Sequence, residues 1–294
     1  MTMEPILELR HVGKQFKGFA LRDISFALPK GYIMGFIGPN GAGKSTTIRC
    51  IMDLVHIDTG EVQLFGRPFR RDGVALKQRI GFVYDQDVFY SHLTAEKNKQ
   101  VIAPFYTRWD DSRFYRYAKL FGLPLDKKMK DLSKGTKMKF ALAVALSHHA
   151  ELIIMDEPTS GLDPVFRREL LDLLMDVIQN GETSVFFSTH ITSDLEKVAD
   201  YLTFILDGRI IFSKPADELA ESYMLVKGPQ GDEAAVQAAQ PIYLKQGPLG
   251  FEAFMTRTEA ERLPDNKRLH LERPDLEEIM YYIVQAQRQP QTEG

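Results

Sequence analysis

Cysteine is almost missing from this chain of 294 residues, and the single thiol, Cys50, excludes an internal disulfide. Neither sign of charge prevails. The 37 basic and 40 acidic residues leave a net charge of −3, so no global field draws the chain to nucleic acid or to an anionic membrane, and no nucleic-acid partner is expected. Long apolar runs are absent as well. The longest, Phe140–Leu146, falls far short of the roughly 18 to 20 residues that cross a bilayer. The first residues carry Glu4 and Glu8 and lack a continuous apolar stretch, so no secretory signal is visible and a cytoplasmic location is the expectation. Internal repeats and low-complexity tracts are lacking too. What remains, 44% hydrophobic and 26% charged residues, is the composition of a globular protein able to bury a sizeable core.

Three short apolar runs stand out: Tyr32–Ile37, Leu152–Met155 and Ser184–Phe187. Continuous rather than alternating hydrophobicity is the pattern of strands buried on both faces, which predicts an α/β domain with a mostly parallel sheet. Each run is followed by a loop rich in Gly, Ser, Thr, Asp or Pro. Ligands of open α/β sheets bind beyond the carboxyl ends of the strands, so those loops are the places to look for a site. Residues from about 91 to 150 read differently. His92–Tyr106 and Asp111–Phe121 have helical patterns, with Thr94 and Asp110 or Asp111 as N-caps and Gly122-Leu123-Pro124 as a stop, which predicts an inserted helical subdomain. Beyond about Ser222 the chain becomes punctuated by Gly and Pro, as in a linker leading to a small α+β tail that ends in an amphipathic helix over Asp275–Gln285.

The stretch Gly38-Pro39-Asn40-Gly41-Ala42-Gly43-Lys44-Ser45-Thr46 fits G-x-x-x-x-G-K-[ST], between a predicted strand and a helix-compatible run. Glycines at 38, 41 and 43 let backbone N–H groups curl around phosphate oxygens, and the helix N-terminus adds its partial positive charge. Lys44 is placed to reach the β- and γ-phosphates, and Ser45 to ligate Mg²⁺. A phosphate cradle alone leaves GTPases, kinases and ATPases open, so a second acidic element is needed. Asp156-Glu157 supplies it at the end of an apolar run, with Asp156 holding the metal through water and Glu157 orienting or deprotonating the attacking water. Taken alone, Asp156-Glu157-Pro158 also suits a surface turn. A guanine-recognising N-K-x-D is absent, since neither Asn98-Lys99 nor Asn266-Lys267 has Asp at the required place.

Order and spacing then add Ser160-Gly161-Leu162-Asp163-Pro164 and Ser188-Thr189-His190 downstream. The whole set resembles the nucleotide-binding subunit of ABC transporters, over about residues 5 to 225. That resemblance implies an ABC ATPase domain over 1–225 with a P-loop NTPase core, followed by a small extension over 226–294. It implies ATP and Mg²⁺ as ligands, and two ATPase domains that enclose two ATPs head to tail. Within such a pair, Ser133 and Gly135 of Leu132-Ser133-Lys134-Gly135-Thr136 contact the γ-phosphate across the dimer. The segment departs from the usual LSGGQ at Lys134 and Thr136, and Lys134 either adds charge beside the triphosphate or faces solvent. His190 corresponds to the family's switch histidine, and Asp163 to the acidic residue of the loop linking the two ATP sites. For the loop that normally carries a Gln ligand to Mg²⁺, Asp85 occupies the matching position, with Gln86 as the alternative. Phe16 corresponds to the aromatic ring that stacks on adenine, with Phe19 as competitor.

The resemblance also implies partners. A second ATPase subunit, identical or different, and a separate integral membrane subunit are expected, with the chain peripheral on the inner face of the cell membrane. The aromatics Phe89, Tyr90, Phe105, Tyr106 and Trp109 flank the helical lobe, where family members receive a helix of the membrane subunit; core packing explains them equally well. The segment Arg273–Val284 resembles an extension found in bacterial exporter subunits of the antibiotic-resistance kind, so export is favoured over import. The competing expectation is a soluble ABC ATPase of translation or DNA repair. Such proteins usually carry two ATPase units or a long coiled-coil insert, and this chain shows neither.

Overall fold

The computed structural model describes residues 4–84, 88–264 and 266–288. The chain divides into two compact units, Met1–Ser213 and Lys214–Gly294. The first is built on a six-stranded sheet in the order Arg209–Pro215, Tyr201–Leu206, Ile33–Ile37, Ser184–Thr189, Leu152–Asp156 and Ile80–Val83. All three apolar runs singled out by the sequence become its central strands, and every residue of Ile33–Ile37, Leu152–Asp156 and Ser184–Thr189 is buried. Pairing among them is parallel and in register, with Ile37 opposite Thr189 and Asp156 opposite Ser188. The three strands therefore end together. The loops that leave them carry Gly38, Glu157 and His190 to one edge of the sheet, and this common ending builds the site.

A second, antiparallel sheet in the order Phe19–Pro29, Pro5–Phe16, Thr59–Leu64 and Arg67–Pro68 belongs to the same unit. Phe26 from this sheet stacks on Phe186 at 5.6 Å between ring centroids, and Phe36 lies 5.4 Å from Phe186, so the two sheets share one core. Its first hairpin closes at Phe16 opposite Phe19, around Gly18 at φ 86°.

Between Ile80–Val83 and Leu152–Asp156 lies the helical subdomain. Thr94 caps Ala95–Ile102 by accepting from the Lys97 N–H, Asp110 caps Asp111–Leu120 through the Arg113 N–H, and Ser133 caps Lys134–Ser147 through the Thr136 N–H. Such caps each contribute about 1 kcal/mol by satisfying an orphan donor of the first turn. Pro104 turns the end of the first helix into a short 3-10 segment, Ala103–Phe105. The last helix, buried along Phe140–Ser147, leads into the strand that ends at Asp156.

The second unit is α+β. Its antiparallel sheet runs Tyr243–Gly247, Gly250–Thr256, Tyr223–Gly228 and His270–Glu272. The expected terminal helix spans Leu276–Arg288 and buries Leu276, Ile279, Tyr282 and Ile283, the stripe that a 3.6-residue period requires.

Candidate active site

The strand Ile33–Ile37 leads into the phosphate loop, and the helix Lys44–Ile51 leaves it. Gly43 sits at φ 115°, a conformation closed to side-chain-bearing residues, and a Cβ there would lie 2.8 Å from Leu21 Cδ2. Gly38 is needed for a different reason: a Cβ would collide with the carbonyl oxygen of Ile205. Lys44 turns back over the loop it follows. Its Nζ donates to the Gly38 carbonyl at 2.8 Å and the Pro39 carbonyl at 3.3 Å, and lies 3.2 Å from Glu157 Oε1. Only 5% of the residue is exposed, so the ammonium is held against the loop's own carbonyl oxygens.

Asp156 closes its strand almost completely buried, and its Oδ1 accepts from Ser45 Oγ at 3.1 Å and from Ser188 Oγ at 2.6 Å. Glu157 follows at φ 49°, in the left-handed region, which costs a residue with a side chain about 1 to 2 kcal/mol. Compensating bonds surround it. Its N–H donates to Ser188 Oγ at 3.0 Å and to the Ser188 carbonyl at 3.2 Å, while Oε2 lies 2.8 Å from His190 Nδ1. Backbone strain at a carboxylate gripped by a lysine and a histidine is typical of a reacting centre rather than of a surface turn.

Lys44, Glu157 and His190 line a cleft of about 390 Å³ together with Phe19, Asn40, Gly41, Gly43, Ser45, Thr46 and Ser160. Phe19 reaches the wall, its ring against Gly43. Phe16 is not among the lining residues; its ring stands 6.5 Å from that of Phe19, with Lys14 Nζ 5.7 Å from its centroid. Ser45 and Asp156 fit Mg²⁺ by their chemistry: a hydroxyl and one carboxylate, both hard oxygen donors, joined by a hydrogen bond beside the cleft. No cluster of three or more His, Cys, Asp or Glu suited to a metal occurs among the described residues. Asp85 and Gln86 lie outside the described residues.

Ser133, Gly135 and Asp163 form a separate group, none of them lining the cleft. Asp163 Oδ1 caps the helix Pro164–Ile178 by accepting from the N–H groups of Val165 at 3.1 Å and Phe166 at 3.0 Å. A Cβ on Gly135 would stand 3.6 Å from Leu162, and one on Gly161 would stand 3.9 Å from Lys134, so the two segments run side by side. Of the lobe aromatics, Phe89 packs edge-on against Phe140, Tyr106 stacks on His148, and Trp109 lies against Phe114. Tyr90 and Phe105 are exposed. Ser188, whose hydroxyl joins the two carboxylate residues, was not singled out by sequence reading; its only signal is its place two residues before His190.

A family model described as ABC transporter matches residues 21–160. The bacitracin transport ATP-binding protein BcrA of Enterococcus faecalis is 31% identical over 222 residues, which cover 74% of this chain and 72% of that protein. The chain belongs to the ABC transporter family. It is an ATP-binding, ATP-hydrolysing subunit of that family. The lantibiotic transport ATP-binding protein SrtF of Streptococcus pyogenes is 32% identical, over 72% of this chain and 92% of the relative. Among solved structures, an ATP-binding subunit of an ABC transporter superposes with a TM-score of 0.66 at 26% identity, covering 73% of this chain and 91% of the other. The dimeric ATP-binding cassette MJ0796 bound to ADP and Pi shares the fold at a TM-score of 0.64 and 22% identity.

Proposed function

We propose that this ABC subunit hydrolyses ATP at the Lys44–Glu157–His190 cluster to drive a separate integral membrane subunit, with outward movement of the cargo. The observation that carries the catalytic part is the double grip on Glu157, Lys44 on one oxygen and His190 on the other. In this reading, the loop amides of Gly38–Thr46 and the Lys44 ammonium bind the β- and γ-phosphates. Mg²⁺, held by Ser45 and Asp156, supplies charge neutralisation at the phosphates when bound. Glu157 orients a water molecule against the γ-phosphorus and accepts its proton as the new P–O bond forms and the bond to the bridging oxygen breaks, leaving ADP and phosphate. His190 holds Glu157 from Nδ1, and a γ-phosphate oxygen, which can only accept, requires an N–H at the ring's other nitrogen, Nε2.

Phe19 forms the wall of the cleft, and Phe16, at the exposed end of the hairpin, offers a ring face to the adenine. Ser133, Gly135 and Asp163 serve a second ATPase subunit rather than their own cleft. A nucleotide-binding domain ending at the boundary of the two compact units, Ser213/Lys214, rather than near residue 225, which lies inside a strand of the α+β unit, suits this arrangement, with that unit as an appendage. No helix among the described residues is long and apolar enough to cross a membrane. Attachment through a membrane partner at the inner face of the cell membrane therefore suits the chain, with exposed Tyr90 and Phe105 in the docking surface. Relatives named for bacitracin, lantibiotic and multidrug transport support outward movement.

Affinity purification of tagged Glu157→Gln chain with ATP and Mg²⁺ from detergent-solubilised membranes tests the transport part. Recovery of a stoichiometric multi-span membrane protein is the expected result. Recovery with ribosomes or DNA instead would overturn it.

A further inference from the structure

Ser188 lies at the carboxyl end of the strand Ser184–Thr189, wholly buried, directly opposite Asp156 in the neighbouring strand. Its hydroxyl has two fixed neighbours. The Glu157 N–H, which can only donate, points at Oγ from 3.0 Å, and the Asp156 carboxylate accepts at 2.6 Å. The rotor thus has one orientation: it takes the Glu157 N–H on a lone pair and gives its own proton to Asp156 Oδ1. Asp156 Oδ1 is the same oxygen that accepts from Ser45 on the phosphate-loop helix.

We propose that Ser188 is a positioning residue for hydrolysis, setting the direction in which the Glu157 side chain leaves the backbone and holding Asp156 toward Ser45. The argument for Glu157 is rotational. At φ 49°, the direction of its Cβ is set by rotation about N–Cα, and the N–H is the fixed side of that rotation. Ser188 holds that N–H with both its hydroxyl and its carbonyl oxygen. Two residues on, His190 holds the far end of the same side chain at 2.8 Å. One three-residue segment therefore grips Glu157 at its backbone and at its carboxylate, and a shift of either contact moves the oxygen that meets the water. Removal of the hydroxyl leaves the Glu157 N–H with the Ser188 carbonyl alone at 3.2 Å and takes the shorter of two hydroxyl donors from a buried carboxylate.

This inference rests on Glu157 acting on the water, so Glu157→Gln is measured beside Ser188→Ala and Ser188→Thr, each in the full chain. In Ser188→Ala, kcat falls about 10- to 100-fold, as expected for loss of a group that orients reacting residues. KM for ATP and the metal-free dissociation constant of a fluorescent ATP analogue stay within about twofold of the parent, because the phosphate-loop contacts are untouched. The tightening of analogue binding by added Mg²⁺ is smaller in Ser188→Ala, through the loosened Asp156. Ser188→Thr, which keeps the hydroxyl, recovers most of kcat. If the threonine variant melts early, the split between kcat and metal-free binding in Ser188→Ala decides alone. A kcat within about twofold of the parent in Ser188→Ala, with Glu157→Gln inactive, would overturn the positioning role and leave Glu157 in place. Metal-free affinity falling in step with kcat would also overturn it, since that is the signature of general support of the loop. Full activity in Glu157→Gln would remove the reading beneath both.

Discussion

His190 Nδ1 stands 2.8 Å from Glu157 Oε2 while Lys44 Nζ stands 3.2 Å from Oε1, so the glutamate reaches the cleft with each oxygen assigned a partner. The lysine is nearly buried, whereas the His190 side chain is 44% exposed and faces the open side. One contact belongs to the buried floor of the site, and the other to its exposed side.

His190→Ala therefore loses orientation without loss of fold. We expect kcat to fall by about 100-fold or more, the order that misplacing a reacting group costs, with ATP affinity and melting temperature close to the parent. Steady-state ATPase assays combined with nucleotide titration check this. Undiminished kcat would separate the histidine from the reaction.

Arg167, in the helix that Asp163 caps, pairs through Nε with Asp194 Oδ1 at 2.6 Å and through Nη2 with Ser193 Oγ at 3.2 Å. Asp194 is wholly buried, and its Oδ2 has no hydrogen-bond partner among the described residues. Arg167→Ala leaves that carboxylate uncompensated. Complete burial would make the cost about 3 to 5 kcal/mol. The Arg167 side chain is 27% exposed, and water reaching it lowers the expected loss to about 2 to 3 kcal/mol. Urea unfolding measures it. Adding Asp194→Asn, which removes the buried charge, recovers part of the loss.

His148 titrates in the opposite sense to a paired histidine. Burial pushes it down to about 4, its ring stacked on Tyr106 at 3.9 Å between centroids. The unfolded chain takes up this proton near the ordinary value of 6.5, and the folded chain only near 4. Between those values the unfolded state binds more protons, so stability falls as pH is lowered through that window. His148→Phe keeps the stack and removes the proton. The decline in stability between about pH 7 and about pH 5 should shrink by about 1 to 2 kcal/mol in that variant. Equal declines in the two proteins would contradict the assignment.

Much of the site was legible in the sequence because its residues sit at strand ends, and parallel strands buried on both faces announce themselves as continuous apolar runs. Lys44, Asp156, Glu157 and His190 lie at the ends of such runs or in the loops that leave them, and the caps Thr94 and Asp110 are local hydrogen bonds within a few residues. What was hidden depends on register and reach. The antiparallel sheet escaped because Pro5–Phe16 is broken by register shifts at Leu9/Val12 and Val12/Lys14 and buries its residues irregularly. The place of Phe19 on the cleft wall depends on which side of the hairpin turns inward, which spacing from Lys44 does not encode. Ser188 and the Arg167–Asp194 pair act across strands and helices, and a hydroxyl or charge carries no sign of a partner far along the chain.

The most direct test of the catalytic account is a single comparison of parent and Glu157→Gln chains, measuring ATP binding and steady-state hydrolysis in the same preparation with Mg²⁺. The account predicts unchanged or tighter ATP binding, hydrolysis reduced by about 100-fold or more, and an ATP-dependent dimer that persists through gel filtration. Turnover at the parent rate would contradict it, because a glutamate held by Lys44 and His190 would then have no part in breaking the phosphate bond.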